Sequence, residues 1–522
     1  MHENRETSSL TASQESSPAG KGQGRKARMN GGEESDEVVV PMKETNNVTE
    51  KQAGAAEFLE GRTSTKENTS QDHTFPAQDG RGVSQGLTGV RQVAREKKQE
   101  QFTNLLHHLT VDLLRSSFRR LKKEAAPGVD GVRWAEYEEG LEARLIELKD
   151  RIHRGAYRAQ PSRRIYIPKA DGRQRPIGIA ALEDKIVQQA VVTILNEIYE
   201  VDFRGFSYGF RPGRSPHQAL DALNAGLQRK KVNWVLDADI RGFFDQMSHE
   251  WTMEFVRHRI ADPRILRLIQ KWLKAGVSED GEWSETTVGT PQGAVISPLL
   301  ANVYLHYVFD LWMEVWRRKV ARGEMIAVRY ADDFVVGFEH RADAERFLVE
   351  LQERMAKFGL ELHPEKTRLI EFGRFASVDR RQRGVGEPES FTFLGFTHRC
   401  GTHRNGSYVV WRHTARQRLE AKLQQIKQTL RERMHEPVPL VGTWLGRVVR
   451  GFYQYHAVPG NWTNLERFRQ RIGWYWQHTL ARRSQTGRIS AERISRLCAD
   501  YLPRPRLMHP YPDVRFDATH PR

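Results

Sequence analysis

Two adjacent carboxylates, Asp332 and Asp333, interrupt an apolar run. Met325-Ile326-Ala327-Val328-Arg329-Tyr330-Ala331 precedes them and Phe334-Val335-Val336-Gly337-Phe338 follows. β-Branched and aromatic residues on both sides predict two short strands meeting at a tight turn, with both acids at its tip. Neighbouring side chains of a regular strand point to opposite faces, so a turn is needed to aim both acids at one place. Asp is also frequent in turns because it bonds its own backbone, and the dipeptide alone fits that structural role. More acids stand upstream, in Asn233-Trp234-Val235-Leu236-Asp237-Ala238-Asp239-Ile240-Arg241-Gly242-Phe243-Phe244-Asp245. Trp234, Val235 and Leu236 read as a buried strand, with Asp237 and Asp239 on one face of it by the two-residue period. An acid at the end of a buried strand is costly unless it is paired or binds a cation. A salt bridge to Arg241 would account for one of these acids and leave the others unexplained.

The 522 residues allow three or four domains. The net charge of +16 is unevenly placed. Residues 1–90 hold 10 basic and 14 acidic residues, whereas residues 401–522 hold 22 basic and 8 acidic ones. A basic, Arg-rich segment interleaved with Trp and Tyr points to a polyanionic partner, nucleic acid foremost. Two cysteines, Cys400 and Cys498, exclude a disulfide framework and an all-Cys zinc module. The 19 histidines show no HExxH-type spacing. No apolar run is long enough to span a membrane, and Met1-His2-Glu3-Asn4-Arg5 does not open a signal peptide. The expectation is a soluble, cytoplasmic protein.

Residues 1–95 are polar and Gly/Ser/Thr-rich, and are expected to be disordered. Helical periodicity starts near Phe102 (Leu105, Leu106, Leu109, Leu113, Leu114), and a second pattern covers Leu141, Leu145, Ile146, Leu148 and Ile152. Between 163 and 179, two β-rich runs flank Asp171-Gly172 and predict a hairpin. Lys169 and Arg175 near its tip could grip a triphosphate, although on their own they fit better the protection of a solvated edge. A helix begins around Leu182. In Tyr208-Gly209-Phe210-Arg211-Pro212-Gly213-Arg214, Arg211 and Arg214 suit a phosphate backbone, although Gly and Pro mark any turn. Gly289-Thr290-Pro291-Gln292-Gly293 leads a loop into a helix, in an order suited to contacts with a nucleotide or base pair. A further helix covers 342–358 and a strand covers 391–396. From about 414, four apolar clusters step at helical spacing, and a basic, Pro-rich tail follows Leu502.

Phosphoryl transfer onto a hydroxyl is served by two divalent cations about 3.5–4 Å apart, bridged by carboxylates. Mg²⁺ keeps waters, so two or three Asp plus substrate phosphates suffice; Asp239, Asp332 and Asp333 would supply that set. Eight segments stand in one order: Pro127-Gly128-Val129-Asp130-Gly131, Arg175-Pro176-Ile177-Gly178-Ile179, Tyr208-Gly209-Phe210-Arg211-Pro212, Asp239 to Phe244, Pro291-Gln292-Gly293, Tyr330-Ala331-Asp332-Asp333, Glu365-Lys366-Thr367 and Phe393-Leu394-Gly395-Phe396. Over roughly residues 100–500 this series resembles the reverse transcriptase–maturases encoded in bacterial group II introns.

The resemblance implies an α+β, right-hand polymerase: fingers and palm with an antiparallel sheet over 96–400, then a helical thumb/maturase domain over 401–500 and a tail over 501–522. It implies a two-Mg²⁺ site on Asp239, Asp332 and Asp333, with Asp332 the stronger ligand of the pair and Asp237 and Asp245 in support. Lys169 and Arg175 would hold the triphosphate, and Gln292 would meet nucleotide and template. Phe244 would gate against the ribose 2′-hydroxyl, a core aromatic being the alternative. Lys366 would protonate pyrophosphate. Arg211, Arg214, Arg447 and Arg450 would contact RNA. The implied partners are an RNA template with a DNA primer, deoxynucleoside triphosphates and group II intron RNA, with no membrane and the oligomeric state open. Many relatives end in a Cys-containing nuclease. Cys400 and Cys498 cannot form paired motifs, so no endonuclease is expected and the primer would come from a nick or replication fork. The alternatives are a splicing factor without polymerase activity, or a retron, CRISPR-associated or diversity-generating reverse transcriptase.

Overall fold

The computed structural model describes residues 81–168, 174–279, 282–483 and 489–519. The fold is α+β, with three separate sheets among helices. Its strands are β1 (Ser162–Pro168), β2 (Gln174–Ile179), β3 (Trp234–Asp239), β4 (Val277–Glu279), β5 (Glu282–Ser284), β6 (Met325–Tyr330), β7 (Asp333–Phe338), β8 (Arg368–Glu371), β9 (Phe391–Phe393), β10 (Phe396–Thr402) and β11 (Tyr408–Thr414). The first sheet runs β2-β1-β4-β5, the second β6-β7-β3-β8 and the third β11-β10-β9.

The second sheet is antiparallel throughout. Every residue of β6 is buried, as are Val235, Leu236 and Ala238 of β3. The helix Arg341–Lys357, predicted within a residue, packs on β3 and β7. The free edge of β6 is covered by residues 206–208: Arg329 N–H donates to the Phe206 carbonyl (2.8 Å) and Tyr208 N–H to the Arg329 carbonyl (2.9 Å).

Three expectations change. The helix Arg81–Glu96 lies within the segment expected to be disordered; Leu87, Val90 and Ala94 recur at helical spacing and are buried, and the helix packs on Leu182–Asp202. The polar average over 1–95 hid that short apolar stripe. Near Phe102 the chain is not yet helical. Asp262 accepts from the Leu105 and Leu106 N–H groups (2.8 and 3.0 Å), and the helix Val111–Arg120 starts only where the Thr110 side chain caps Leu113 N–H. The strand expected over 391–396 is a hairpin. Leu394 and Gly395 both take positive φ (48° and 78°), the pattern of a two-residue type I′ turn, and Phe393 pairs with Phe396.

Beyond β11, the helices Arg416–Glu432, Val438–His456, Trp462–Ala481 and Ala491–Tyr501 enclose their own core of Leu423, Ile426, Leu445, Phe468, Ile472 and Trp476. The tail does not hang free: Leu502 and Phe516 are buried, and the helix Pro512–Thr519 packs on Pro216–Arg229. Arg229 pairs there with Asp513 and Asp517, and buried Asp221 with Arg412 and Arg515. Among the described residues, no helix is long and apolar enough to cross a membrane.

Candidate active site

The predicted hairpin is present, and its register defines the site. Tyr330 pairs with Asp333, so Ala331 and Asp332 are the two turn residues and Asp333 opens β7. Ala331 has φ +56°, and it alone of the two turn residues takes a positive φ, as the first central position of a type II′ turn requires. In the neighbouring pair Asp239 stands directly opposite Asp333. Side chains directly opposite in an antiparallel pair share a face and lie about 5 Å apart at Cβ. Two carboxylates from strands far apart in the chain are thus held side by side, with Asp332 in the adjoining turn and Asp237 two residues along the same face.

Burial, then the charges of Asp237, Asp239 and Asp332, pushes the Asp333 carboxyl well above the usual carboxylate range, with Lys366 opposing. Like charges directly opposite one another destabilise a sheet, so this donor set is one that a cation relieves. Among the described residues no three His, Cys, Asp or Glu form a metal-holding group by themselves. A hard cation completed by waters and substrate phosphates does not need such a cage, and the residues fit one.

Asp237 faces Arg368 on β8, with its carboxylate 3.7 Å from the guanidinium. Arg241 pairs instead with Glu361 (3.3 Å), so the salt bridge expected for the β3 acids is made by Arg368. Burial still raises Asp237 to about 6. A folded value above the ordinary 3.8 means that ionising Asp237 costs stability as pH rises from about 4 through 6. Asp237→Asn is therefore expected to stabilise the metal-free protein by on the order of 1–3 kcal/mol at pH 7. The gain should shrink toward zero near pH 4; paired thermal melts at the two pH values measure it.

Lys366 reaches Asp239 because residues 361–363 run beside the end of β3. Ile240 and Leu362 form an antiparallel bridge, His363 N–H donates to the Asp239 carbonyl (2.8 Å), and the following turn carries Lys366 into an ion pair with the Asp239 carboxylate. The loop bearing Gln292 is tied on two sides. Gly178 N–H on β2 donates to the Gln292 carbonyl (2.8 Å), and Thr290 N–H donates to the Phe244 carbonyl (2.8 Å). Gln292, Phe244 and β2 are therefore neighbours through the backbone. Phe244 is 9% exposed, edge-on to Phe243 and Phe210, and belongs to the main core cluster. Arg175 stands on β2 opposite Ile167, on the hairpin arm near the tip. Lys169 lies outside the described residues.

Of the four arginines expected to meet RNA, Arg211 does not fit. It is 3% exposed, grips Glu200 through Nε and Nη2 (both 3.0 Å) and donates to the Arg204 and Ser207 carbonyls. The Glu200 pair holds the loop to the helix Leu182–Asp202 and keeps the guanidinium turned inward. Arg214 is half-buried in the same loop, whereas Arg447 and Arg450 are exposed on one face of Val438–His456.

Two features of the site escaped the sequence reading. A Cβ on Gly209 would press on the Ala331 nitrogen and lie 2.8 Å from its Cα, so this glycine seats the acidic turn. Arg329 is fully buried beneath the same turn. An arginine in the middle of an otherwise apolar run was the available signal.

With this geometry in view, residues 167–398 match the reverse transcriptase (RNA-dependent DNA polymerase) family. Individual relatives add detail to this likeness. It is 39% identical over 240 residues to Protein YkfC of Escherichia coli (strain K12), covering 40% of this chain and 62% of that protein. It is 34% identical over 242 residues to the group II intron-encoded protein LtrA of Lactococcus lactis subsp. cremoris, covering 45% and 40%. A putative COX1/OXI3 intron 1 protein of Saccharomyces cerevisiae matches at 24% over 434 residues, 69% of this chain and 50% of that protein. The chain thus spans less than two thirds of the length of each of these relatives.

Proposed function

We propose that this chain is an RNA-directed DNA polymerase of a group II intron, using Mg²⁺ for nucleotidyl transfer and binding its intron RNA as a maturase in the cytoplasm. The observation that carries the reading is the register that sets Asp239 against Asp333, with Asp332 in the adjoining turn. In this reading the first sheet is the fingers, the second the palm, and the helices from Arg416 to Tyr501 the thumb and maturase surface.

Asp239, Asp332 and Asp333 would hold two Mg²⁺ ions, whose chemistry is to activate the primer 3′-hydroxyl and to neutralise the leaving pyrophosphate. Arg175 and Lys169 bind the triphosphate. Gln292 orients the nucleotide against the template. Phe244 sits beneath the sugar, supported by the backbone link between its carbonyl and Thr290. Lys366, paired with Asp239, would supply the ammonium that protonates pyrophosphate. Arg447 and Arg450, exposed on the helix Val438–His456 and in the most basic part of the chain, contact RNA phosphates.

Lys366→Ala is expected to lower kcat about 10²-fold by removing a general acid, with the KM for the nucleotide changed far less. Single-nucleotide incorporation under saturating primer–template measures both. The function itself is tested with poly(rA)/oligo(dT) and dTTP: extension in Mg²⁺ that stops on chelation supports it. RNA binding without extension would favour a splicing factor that has lost the polymerase.

A further inference from the structure

Arg329 has five N–H donors and spends all of them inside the protein. Nε and Nη2 form a fork on the Asp310 carboxylate (2.7 and 2.6 Å). Nη2 also donates to Ser207 Oγ (2.6 Å), and Nη1 to Asn302 Oδ1 (3.2 Å) and to the Ala331 carbonyl (2.9 Å). Asn302 in turn donates through Nδ2 to the Gly209 carbonyl (2.6 Å), and Gly209 is the residue on which an added Cβ would collide with Ala331. Arg329 and Asp310 are both fully buried. Asp310 belongs to the π-helical turn His306–Asp310, a local widening of a helix that recurs at functional sites.

A buried ion pair is a poor device for stability alone, because desolvation offsets the Coulombic gain. What this one does have is aim. Ala331 holds a positive φ that a residue with a Cβ avoids, and such a conformation persists only where the surroundings over-determine it. Arg329 fixes its carbonyl and Gly209 its other side. Asp332 follows immediately.

We propose that Arg329, Asp310 and Asn302 are positioning residues for the catalytic turn, fixing where Asp332 presents its carboxylate to a divalent cation. The inference rests on Asp332 being a metal ligand. Asn302 and Asp310 lie outside the quoted motif series and belong to no substrate-facing loop.

Two variants test it. Asn302→Ala removes both the Gly209 and the Arg329 contacts while leaving the buried charge pair whole. Arg329→Lys keeps a cation against Asp310 but withdraws the donors to Ala331 and Asn302. Amide hydrogen exchange over residues 330–334 and Mn²⁺ titration of the full chain are read alongside poly(rA)/oligo(dT) extension. In folded variants, exchange at the turn should rise and Mn²⁺ affinity and kcat should each fall about tenfold, with the KM for dTTP within about twofold. Turn exchange and Mn²⁺ affinity at the wild-type level in folded Asn302→Ala would overturn the inference, even if melting temperature dropped. A wild-type chain that extends no primer would sink the polymerase reading instead, while the exchange and Mn²⁺ measurements still decide this one.

Discussion

Asp332→Ala is expected to cut RNA-templated DNA synthesis by at least about 10³-fold, equivalent to roughly 4 kcal/mol of transition-state stabilisation. Asp332 is the turn acid of the set, and its backbone is fixed on both flanks, by Ala331 before it and by Asp333 in the sheet after it. The other acids beside it are committed: Asp333 faces Asp239, and Asp237 is engaged with Arg368. The loss should fall on kcat, because the ligand acts where charge develops at the attacking and leaving oxygens. Primer–template affinity, carried by surfaces elsewhere, should stay near wild type. Pre-steady-state incorporation of one nucleotide alongside a gel-shift titration separates the two.

Gly209→Ala should also damage synthesis, though less deeply than Asp332→Ala, from a residue that carries no chemistry. The new methyl group would press on the Ala331 backbone nitrogen and lie within 2.9 Å of its Cα and Cβ. Backbone cannot swing aside as a flexible side chain does, so either residues 206–209 leave the β6 edge or the turn moves. The first breaks the backbone pairing of Phe206 and Tyr208 with Arg329; the second displaces Asp332. A misplacement of about 1 Å at a reacting centre costs on the order of 10²-fold in rate. The expected result is kcat down by that factor in a chain that still melts cooperatively, measured by steady-state extension and calorimetry on the same preparation.

These two positions also mark what the sequence made legible and what it did not. The strand–turn–strand around Asp332 and Asp333 was readable because β-branched residues on both sides leave few other conformations. The period of two placed Asp237 and Asp239 on one face. The pairing of Asp239 with Asp333 was not readable, since register is fixed by contacts between strands nearly a hundred residues apart, and a slip by one would turn the acid to the other face. Arg211 misled for a related reason. A Gly/Pro loop implies exposure, but Glu200 on the preceding helix draws the guanidinium inward. Leu394-Gly395 hid a turn inside an apolar run because a Leu at positive φ is an unusual turn former. Arg329 stood in view in an apolar strand, but its partner Asp310 lies in a π turn that no helical period predicts.

The central claim is that Asp239, Asp332 and Asp333, and not the neighbouring acid Asp237, form the site of metal-dependent RNA-templated synthesis. Its most direct test is extension of a DNA primer on an RNA template, in Mg²⁺, by wild type and by the four single Asp→Ala chains. The account predicts that wild type extends, that the three site variants are silent, and that Asp237→Ala keeps a substantial part of the activity. Extension that survives Asp332→Ala, or a loss from Asp237→Ala as deep as the other three, would contradict it.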